Sequence, residues 1–514
     1  MKRSFLKMLS LLMACLLCFG LLACTTPETP DDQTPDQPSN DGTEDTPGKE
    51  EENKPDDTPD DTPDDTPDDV PEGKVEPDIP TDGVAGEFNV LHYTTGNHEW
   101  TNPWDEIVPS SGMEVAPGDL IGDDIFDRAA WLEEEYGITV TCDYVEYMQL
   151  PTLLAQIIQT GSTDYQLVDT MGHSAQKLMG QEFFMNMAEL PYVDFDHPWW
   201  VDTALEELSL GNYVEFAVSD MLLIDKSATM VLFYNIDMAK DLELDNIYDD
   251  VRNYEWTIER MAEYASMALQ PDGDDVMDKN DIYGLITNDD PVHMLYLAAG
   301  RKFMSRDEDG TVYYSYGSDD SYTVMIDNLN TIMYADFTWN NHLMQDAPTF
   351  VDGGSLFTFD KLKRCMLMRD MVDDYGILPL PMYEEEQQKY YGPVSSYHDS
   401  MFAVINTNVE NQETIGAALE LLSYFSYYEI YSDFYEVVIQ NRGTRDAESK
   451  EMLSIIFENR AYDIGLLYDP LSLMDKVLRI TATGEAGVAS QWDGLASQRQ
   501  ETMDRLNALI EQYN

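Results

Sequence analysis

Residues 123–146 read DDIFDRAAWLEEEYGITVTCDYVE, and this stretch decides the class of fold. Apolar side chains recur in its first half at the spacing of a helix: Ile125, Ala129, Leu132 and Tyr136. Gly137 is a typical stop signal for that helix, and residues 138–144 then have the composition of a strand. The stretch therefore predicts a helix that is followed directly by a strand.

A strand precedes this unit, and a further helix and strand follow it. Residues 88–93 of EFNVLHYTTG predict the first strand, residues 151–159 predict the helix, and DYQLVDTMG predicts a strand that ends at Asp169. Strands that alternate with helices indicate an α/β protein with a parallel, doubly wound sheet. Because ligands of such sheets bind beyond the carboxyl ends of the strands, Tyr93, Thr94 and Asp169 are candidate ligand contacts.

The amino terminus has the order of an export signal. Basic residues come first, and the apolar run over residues 8–22 that follows is too short to span a bilayer comfortably. Leu21, Leu22 and Ala23 then precede Cys24, and this order resembles the lipobox of bacterial lipoproteins. The resemblance implies a signal peptide over residues 1–23 and a diacylglyceryl group on Cys24. Ordinary secretion with a chance cysteine is the alternative.

An acidic spacer follows over residues 24–86. It is built of Pro, Asp, Thr and Glu and contains the repeat TPDDTPDDTPDD. Proline and like charges keep such a segment extended, so about sixty residues reach on the order of 190 Å. We expect a disordered linker that carries a folded body away from a membrane and holds it on the extracellular side. A calcium-binding acidic tail is the rival interpretation.

Composition excludes some partners of the folded body over residues 87–514. The chain has a formal net charge of -70 at pH 7, so it repels nucleic acid and anionic lipid headgroups. Three of its five cysteines lie at or before Cys24, which leaves Cys142 and Cys365. A bridge between these two is possible in an exported protein, but two lone thiols so far apart in sequence are more often buried apolar side chains.

One motif has the spacing of a metal-binding loop. The segment QPDGDDVMDKNDIYGL aligns with a twelve-residue calcium loop whose ligands would be Gln270, Asp272, Asp274, the carbonyl group of Val276, Asp278 and Asp281. Gln270 replaces the usual leading Asp, and Asp275 occupies the position where the turn favours glycine. The segment is therefore either a solvated acidic turn or a site for a structural calcium ion, and the sequence indicates no other cofactor.

Aromatic residues beside amides are candidates for sugar binding. A flat ring suits the apolar C–H face of a sugar, and a few polar groups suit its hydroxyls. Trp199 and Trp200 in HPWW and Trp339 in FTWNN are candidate stacking residues, with Asn340 beside the last of them. Each tryptophan taken alone fits a core position as well, because large rings are mostly buried.

Catalytic motifs find little support in this chain. Its seven histidines lack metal-ligand spacing, and neither a nucleophile elbow nor a phosphate loop occurs. Asp and Glu are too abundant for a catalytic carboxylate pair to be recognised. We therefore predict that the protein is not an enzyme. A cell-surface polysaccharide-degrading enzyme and a non-catalytic glycan-binding adhesin remain the alternatives.

A family resemblance rests on an ordered set of segments that spans most of residues 88–514. The segments are EEEYGITV, TGSTDYQLV, LPYVDFDHPWW, ATMVLFYNIDMA, FVDGGSLFTF, YGILPLPMYEEEQQKYYGPVS, MFAVINTN and QNRGTRDAESKEML. This order resembles the large bacterial extracellular solute-binding proteins, of family 1 type, that serve carbohydrate ABC transporters. It implies a two-lobed, periplasmic-binding-protein-like (type II) fold with a hinge and an interlobe cleft.

The resemblance also implies domain limits and a function. We expect lobe 1 over residues 87–232 plus a later return segment and lobe 2 over residues 236–480, with residues 231–235 near the crossover. Residues 401–405 are expected to form a strand, and residues 415–425 a buried helix, of the second lobe. The protein would capture a carbohydrate or oligosaccharide by hinge closure and deliver it to the permease subunits of an importer in the cell membrane.

Within the second lobe, the residues around Thr257 predict the start of a helix. Thr257 is a plausible N-cap, and apolar residues from Ile258 to Leu269 recur on one face of the helix that follows. We expect Trp256 to be a packing residue. A last helix over residues 495–513 should pack onto the body through Met503 and Leu506.

Overall fold

The computed structural model describes residues 74–94, 107, 120–244, 247–274, 277–287, 291–318, 321–340, 350–368, 371–395, 401–440, 447–468 and 488–513. The chain divides into two units, Met1–Pro71 and Glu72–Asn514. The predictions of a signal peptide, a lipidated Cys24 and a disordered linker fall almost wholly outside the described residues. Among the described helices, none has the length and apolar character that a membrane crossing requires.

The strands are β1 (Gly86–Thr94), β2 (Ile138–Glu146), β3 (Leu167–Thr170), β4 (Met230–Asn235), β5 (Tyr283–Thr287), β6 (Met304–Arg306), β7 (Val312–Tyr314), β8 (Thr338–Asn340), β9 (Ser355–Lys361), β10 (Tyr375–Leu378), β11 (Gly392–Pro393), β12 (Met401–Val404) and β13 (Arg460–Ala461).

The α-helices are α1 (Leu120–Tyr136), α2 (Leu150–Thr160), α3 (Gly172–Ala175), α4 (Asp202–Leu208), α5 (Ile224–Ser227), α6 (Ile236–Asp241), α7 (Ile247–Arg252), α8 (Ile258–Ala268), α9 (Pro291–Ala298), α10 (Ser321–Met333), α11 (Gln412–Phe425), α12 (Tyr431–Gln440), α13 (Ala447–Glu458), α14 (Ile464–Leu467), α15 (Val488–Gly494) and α16 (Ala496–Tyr513). Short 3-10 helices cover Met187–Glu189, Leu362–Met368, Glu385–Gln387 and Val409–Asn411, and a π-helix covers Ser426–Ile430.

The first sheet confirms the predicted alternation of strands and helices. Within the described residues it has four strands in the order β12-β3-β1-β2, and β1 is parallel to both β2 and β3. Helix α1 buries Ile125 and Leu132 on the face that the periodicity indicated. Gly137 ends the helix with φ of 67°, a left-handed conformation that glycine adopts without strain.

The second sheet lies later in the chain and has mixed strand directions. Among the described residues it has five strands in the order β10-β4-β9-β5-β8. Strand β5 is parallel to β8 and β9, whereas β4 is antiparallel to β9 and β10. Residues 231–235, which were expected near the crossover, therefore belong to β4 and pair with strands of the second sheet.

The assignment of residues 401–405 and 415–425 to the second lobe is wrong. Strand β12 pairs antiparallel with β3 of the first sheet, with Met401 opposite Thr170 and Val404 opposite Leu167. Helix α11 buries Ile415 in the apolar core that contains Phe88 of β1. Local periodicity identified the strand and the helix, but it carries no information on the sheet to which the chain returns.

Three segments, which we call the hinge segments, run side by side: residues 225–229, 392–395 and 459–462. The amide N–H of Ser395 donates to the carbonyl group of Ala228 at 3.1 Å, and that of Gly392 donates to Asn459 at 2.9 Å. The buried carboxylate of Asp225 contacts the guanidinium group of Arg460 and the hydroxyl group of Tyr462. Segment 225–229 precedes β4 of the second sheet, and segment 392–395 precedes β12 of the first sheet, so the chain passes between the two sheets at these segments.

Packing predictions around Thr257 and the last helix are confirmed. The Thr257 hydroxyl accepts the N–H of Arg260 at 3.2 Å, as an N-cap does. Trp256 is fully buried, and its indole N–H donates to the carbonyl group of Pro379 at 3.1 Å. Helix α16 buries Met503 and Leu506.

Neither of the two body cysteines takes part in a disulfide bond. Cys142 and Cys365 are not disulfide-bonded in the described part of the chain, and Cys365 is buried among apolar side chains. The structure therefore does not contain the Cys142–Cys365 bridge.

The last part of the predicted spacer contacts the first lobe through Lys74. The ammonium group of Lys74 lies 3.0 Å from a carboxylate oxygen of Glu429. It also lies 5.2 Å from the ring centroid of Tyr424 and 5.1 Å from that of Tyr428. Tyr428 and Glu429 belong to the π-helix, which directly follows α11. The spacer thus meets the body at a specific contact.

Candidate functional site

Polar and aromatic side chains gather at the carboxyl ends of parallel strands in both sheets. Strands β1 and β3 end at Thr94 and Thr170 in the first sheet, and β5 and β8 end at Thr287 and Asn340 in the second. In open α/β sheets this edge is where ligands bind. Residues 95–106, 288–290 and 341–349, which follow three of these strands, lie outside the described part of the chain.

At the edge of the first sheet, a row of side chains crosses the strands. His92 of β1 lies opposite Asp169 of β3 and opposite Tyr144 of β2. The imidazole Nδ1 of His92 contacts the carboxylate Oδ2 of Asp169, and both side chains are buried. Tyr93 is also buried, and its ring stacks on His92 with centroids 5.1 Å apart, while Thr94 is half-buried. Asp169 and Tyr93 therefore form a packed group rather than an open surface.

Sequence reasoning missed His92, although a signal for it was present. The period of a strand places His92 and Thr94 on one face and Tyr93 on the other. A histidine two residues before a candidate ligand contact shares its face and was a candidate in its own right. Its pairing with Asp169 depends on the register of β1 against β3, which the sequence does not specify.

At the edge of the second sheet, the structure brings Trp339 and Asn340 to the end of β8. Trp339 is half-buried, and its ring lies edge-on to Tyr283 with centroids 5.3 Å apart. The indole Nε1 of Trp339 and the amide Oδ1 of Asn340 are shielded from solvent, and within the described residues neither has a hydrogen-bond partner. A buried polar atom without a partner costs about 1–3 kcal/mol. These two atoms are therefore the strongest candidate ligand contacts.

Trp199 and Trp200 are not placed for stacking on a ligand, because both rings are buried in the core of the first lobe. Their indole N–H groups donate to the buried carboxylate of Glu420, at 2.6 Å and 2.9 Å respectively. The amide N–H of Asp194 donates to the same carboxylate at 2.6 Å. Burial raises the pKa of Glu420, while these donors oppose the rise. The HPWW segment thus anchors a loop to α11, and its two tryptophans occupy the core positions that were the alternative to ligand stacking.

A sequence signal for this anchor was available in helix α11. Glu420 stands between Leu419 and Leu421 and is the only charged residue in the buried run over residues 415–424 of this helix. A lone carboxylate on such a helix needs buried donors, because a charge without partners in a core is strongly unfavourable. The two indoles of HPWW are donors only and match that need.

The candidate calcium loop is held by its own backbone. The buried carboxylate of Asp281 accepts the N–H of Asp272 at 2.8 Å and that of Asp278 at 2.5 Å. The N–H of Asp274 donates to Asp272 at 3.0 Å. Within the described part of the chain, no group of three or more His, Cys, Asp or Glu side chains is arranged to hold a metal ion. Val276 lies outside that part, so calcium binding stays a prediction.

Comparison by sequence finds no relative. No protein-family model matches the chain, and no curated protein matches it.

Comparison by structure finds many similar proteins. The galacto-N-biose/lacto-N-biose I-binding protein of the ABC transporter from Bifidobacterium longum has a TM-score of 0.52 at 14% identity, with 83% of this chain and 98% of that chain covered. The GacH receptor of Streptomyces glaucescens GLA.O, solved unliganded and with acarbose, has a TM-score of 0.51 at 12% identity and 84% and 100% coverage.

A third neighbour is the ABC substrate-binding protein Lmo0181 from Listeria monocytogenes, solved with cycloalternan. It has a TM-score of 0.50 at 10% identity, with 83% of this chain and 99% of that chain covered. These identities are low, so the likeness concerns the fold. The chain therefore has the two-lobed, periplasmic-binding-protein-like α/β fold that the sequence predicted.

Proposed function

We propose that this protein is the lipid-anchored, extracellular substrate-binding component of an ABC importer and that it captures a carbohydrate or oligosaccharide. One observation carries the proposal: at the carboxyl end of the parallel strand β8, Trp339 and Asn340 have buried polar atoms with no hydrogen-bond partner among the described residues. The fold adds support, because neighbours with the same architecture were solved with lacto-N-biose, acarbose and cycloalternan.

The chemistry of these two side chains suits a sugar. The indole N–H of Trp339 donates to a hydroxyl oxygen, and the amide oxygen of Asn340 accepts a hydroxyl hydrogen. Each bond to a neutral group contributes about 0.5–1.5 kcal/mol, and it also removes the cost of an unpaired buried atom. The indole ring offers a flat apolar surface to the C–H face of the sugar. A neutral, hydroxyl-rich ligand therefore satisfies both atoms.

The hinge segments supply the movement that this function needs. Their contacts at Ala228 and Ser395 and at Asn459 and Gly392 are backbone hydrogen bonds. Such bonds hold the segments together while backbone dihedral angles on either side change. A sugar that contacts both lobes stabilises the closed form by its higher affinity for that form. A permease that recognises the closed form then receives only loaded protein.

To test sugar binding, the full chain is screened by thermal shift against lacto-N-biose, acarbose, cycloalternan and a panel of neutral oligosaccharides. Small-angle scattering of each hit measures compaction. We expect at least one sugar to raise the melting temperature and reduce the radius of gyration. Hydrolysis of a hit without compaction would instead identify a polysaccharide-degrading enzyme, and binding without compaction would identify a glycan-binding adhesin.

Variants at β8 test whether this strand end is the binding site. Trp339→Ala and Asn340→Ala should each weaken the affinity for the hit sugar by at least tenfold. Asn253→Ala is the matched control, because Asn253 is an exposed asparagine of another part of the chain. Unchanged affinity in both β8 variants would show that the sugar binds elsewhere.

A further inference from the structure

The hairpin formed by β6 and β7 belongs to the second lobe. It lies between α9 and α10 in the chain. The ring of Tyr316, which follows β7, packs against Tyr296 of α9 and Tyr322 of α10, with centroids 5.6 Å and 4.6 Å apart respectively. Helix α10 is joined in turn to the second sheet, because the hydroxyl group of Thr338 in β8 donates to the carbonyl group of Ile332 at 2.7 Å. The hairpin is therefore carried by the second lobe.

The segment over residues 180–215 belongs to the first lobe. The amide N–H of Met185 donates to the carbonyl group of Val404 in β12 at 2.8 Å. The hydroxyl group of Tyr213 donates to the carbonyl group of Phe184 at 3.0 Å, which fixes this tyrosine to the same part of the segment. Because β12 is a strand of the first sheet, the segment is carried by the first lobe.

Helices α15 and α16 pack against the hairpin. The ring of Trp492 in α15 is buried and lies edge-on to Tyr314 of β7, with centroids 5.3 Å apart. The guanidinium carbon of Arg499 in α16 lies 4.2 Å from the centroid of the Trp492 ring. Farther along α16, the side-chain amide of Asn507 accepts the N–H of Val312 at 2.9 Å and donates to its carbonyl group at 3.0 Å. These contacts attach α16 to the second lobe.

The end of α16 reaches the first lobe. The ring of Tyr513 stacks on that of Tyr213, with centroids 4.0 Å apart and planes inclined by 10°. Leu509 lies four residues earlier, on the same face of the helix, and contacts Gly180. Gly180 has φ of 61°, and a Cβ atom on it would lie only 2.8 Å from Cδ1 of Leu509, so the position requires glycine. The helix and the first lobe are therefore closely packed here.

We propose that α16 is an interlobe latch, which stabilises the closed form of the protein through the stacking of Tyr513 on Tyr213. The latch rests on the proposed function, because closure of the lobes is the movement by which that function captures a sugar. When the second lobe rotates away about the hinge segments, α16 leaves with the hairpin, and the two rings separate. Stacked aromatic rings attract each other beyond the effect of buried area, so their separation disfavours the open form.

An interlobe latch changes the affinity for a sugar without contacting it. A ligand that binds the closed form has a measured affinity that is reduced by the fraction of protein in that form. One stacked aromatic pair raises the ratio of closed to open protein by about two- to tenfold. Tyr213 and Tyr513 are distinct from the candidate ligand contacts at the strand ends, so they act on closure.

Small-angle scattering of the full chain without sugar tests the latch. Tyr513→Ala should raise the radius of gyration above that of the wild type, whereas Tyr513→Phe keeps a stacking ring and should leave it unchanged. Tyr254→Ala is the matched control, because Tyr254 stacks on Tyr390 within the second lobe, with centroids 5.8 Å apart. The spacer contributes equally to every variant. Equal radii of gyration for the wild type and Tyr513→Ala would overturn the proposal.

Hydrogen exchange separates opening of the lobes from unfolding of α16. The amides of residues 496–510 should stay as protected in Tyr513→Ala as in the wild type, and a loss of protection along the whole helix would contradict the latch. With the hit sugar, Tyr513→Ala should bind about two- to tenfold more weakly and, when saturated, compact to the wild-type radius of gyration. If no sugar binds, the proposed function fails, while scattering without sugar still decides whether the latch exists.

Discussion

Glu420 holds the HPWW loop of the first lobe against α11. Its buried carboxylate accepts three N–H groups, two from indoles and one from the backbone of Asp194. His197 Nδ1 lies 3.2 Å from the same carboxylate. Truncation of this side chain would leave several buried donors without an acceptor.

Glu420→Ala should therefore lower the free energy of unfolding by about 3 kcal/mol or more, because each unpaired buried donor costs about 1–3 kcal/mol. Glu420→Gln keeps a carbonyl acceptor of the same shape and should cost less. Urea denaturation at pH 7 measures both variants. A loss in Glu420→Ala no larger than that in Glu420→Gln would show that the donors find other partners.

Glu215 gives the protein a dependence of stability on pH. It is buried, and burial raises its pKa to about 7, against the opposing effect of donors at Gly180 and Tyr468. The folded state therefore binds a proton more readily than the unfolded state, whose pKa stays near 4.5. Tyr213 and Tyr513 face the same carboxylate, and they are neutral in this range.

The contribution of Glu215 to stability should be fully present below pH 4.5 and lost as pH rises through about 7. Relative to Glu215→Gln, the wild type should gain on the order of 2–3 kcal/mol between pH 7.5 and 4.5. Urea unfolding at several pH values measures the difference between the two proteins. A difference that does not change with pH would contradict the assigned pKa.

At the scale of elements, the loop over residues 270–281 is either a calcium site or a solvated acidic turn. The backbone N–H groups of Asp272 and Asp278 donate to the carboxylate of Asp281. The sequence motif nonetheless places oxygen ligands at calcium-loop spacing. Calcium titration of the full chain distinguishes these two interpretations.

Calcium should raise the melting temperature of the full chain, since an ion that binds only the folded state stabilises it. Asp274→Ala combined with Asp278→Ala should abolish that rise, and magnesium at the same concentration is the control ion. The absence of any calcium effect on the parent chain would leave the loop as a solvated acidic turn.

Local elements were predictable from the sequence because their signals are local. Helix α1, its stop at Gly137 and the cap at Thr257 follow from periodicity and backbone preferences of nearby residues. The return of β12 to the first sheet was not predictable in this way, since strand pairing depends on residues far apart in the chain. For the same reason, Trp339 could be distinguished from Trp199 only once their neighbours were known.

At the scale of the whole molecule, the acidic spacer and Cys24 make a prediction about location. An anchored receptor stays close to its permease, which raises their effective concentration. Cys24→Ala should release the protein from membranes and leave sugar affinity unchanged. Fractionation of cells that express each form measures the first effect, and titration with the hit sugar measures the second. A variant that remains in the membrane fraction would contradict the lipid anchor.

The contact of Lys74 with the π-helix has a mechanical consequence. Any pull that reaches the body through the spacer enters at Glu429, Tyr424 and Tyr428, all of which belong to the first lobe. The second lobe is joined to the first lobe through the hinge segments, which lie later in the chain than Lys74. Under the proposed lipid anchor, the first lobe bears the load of the tether, and the proposed closure of the second lobe about the hinge segments does not work against it.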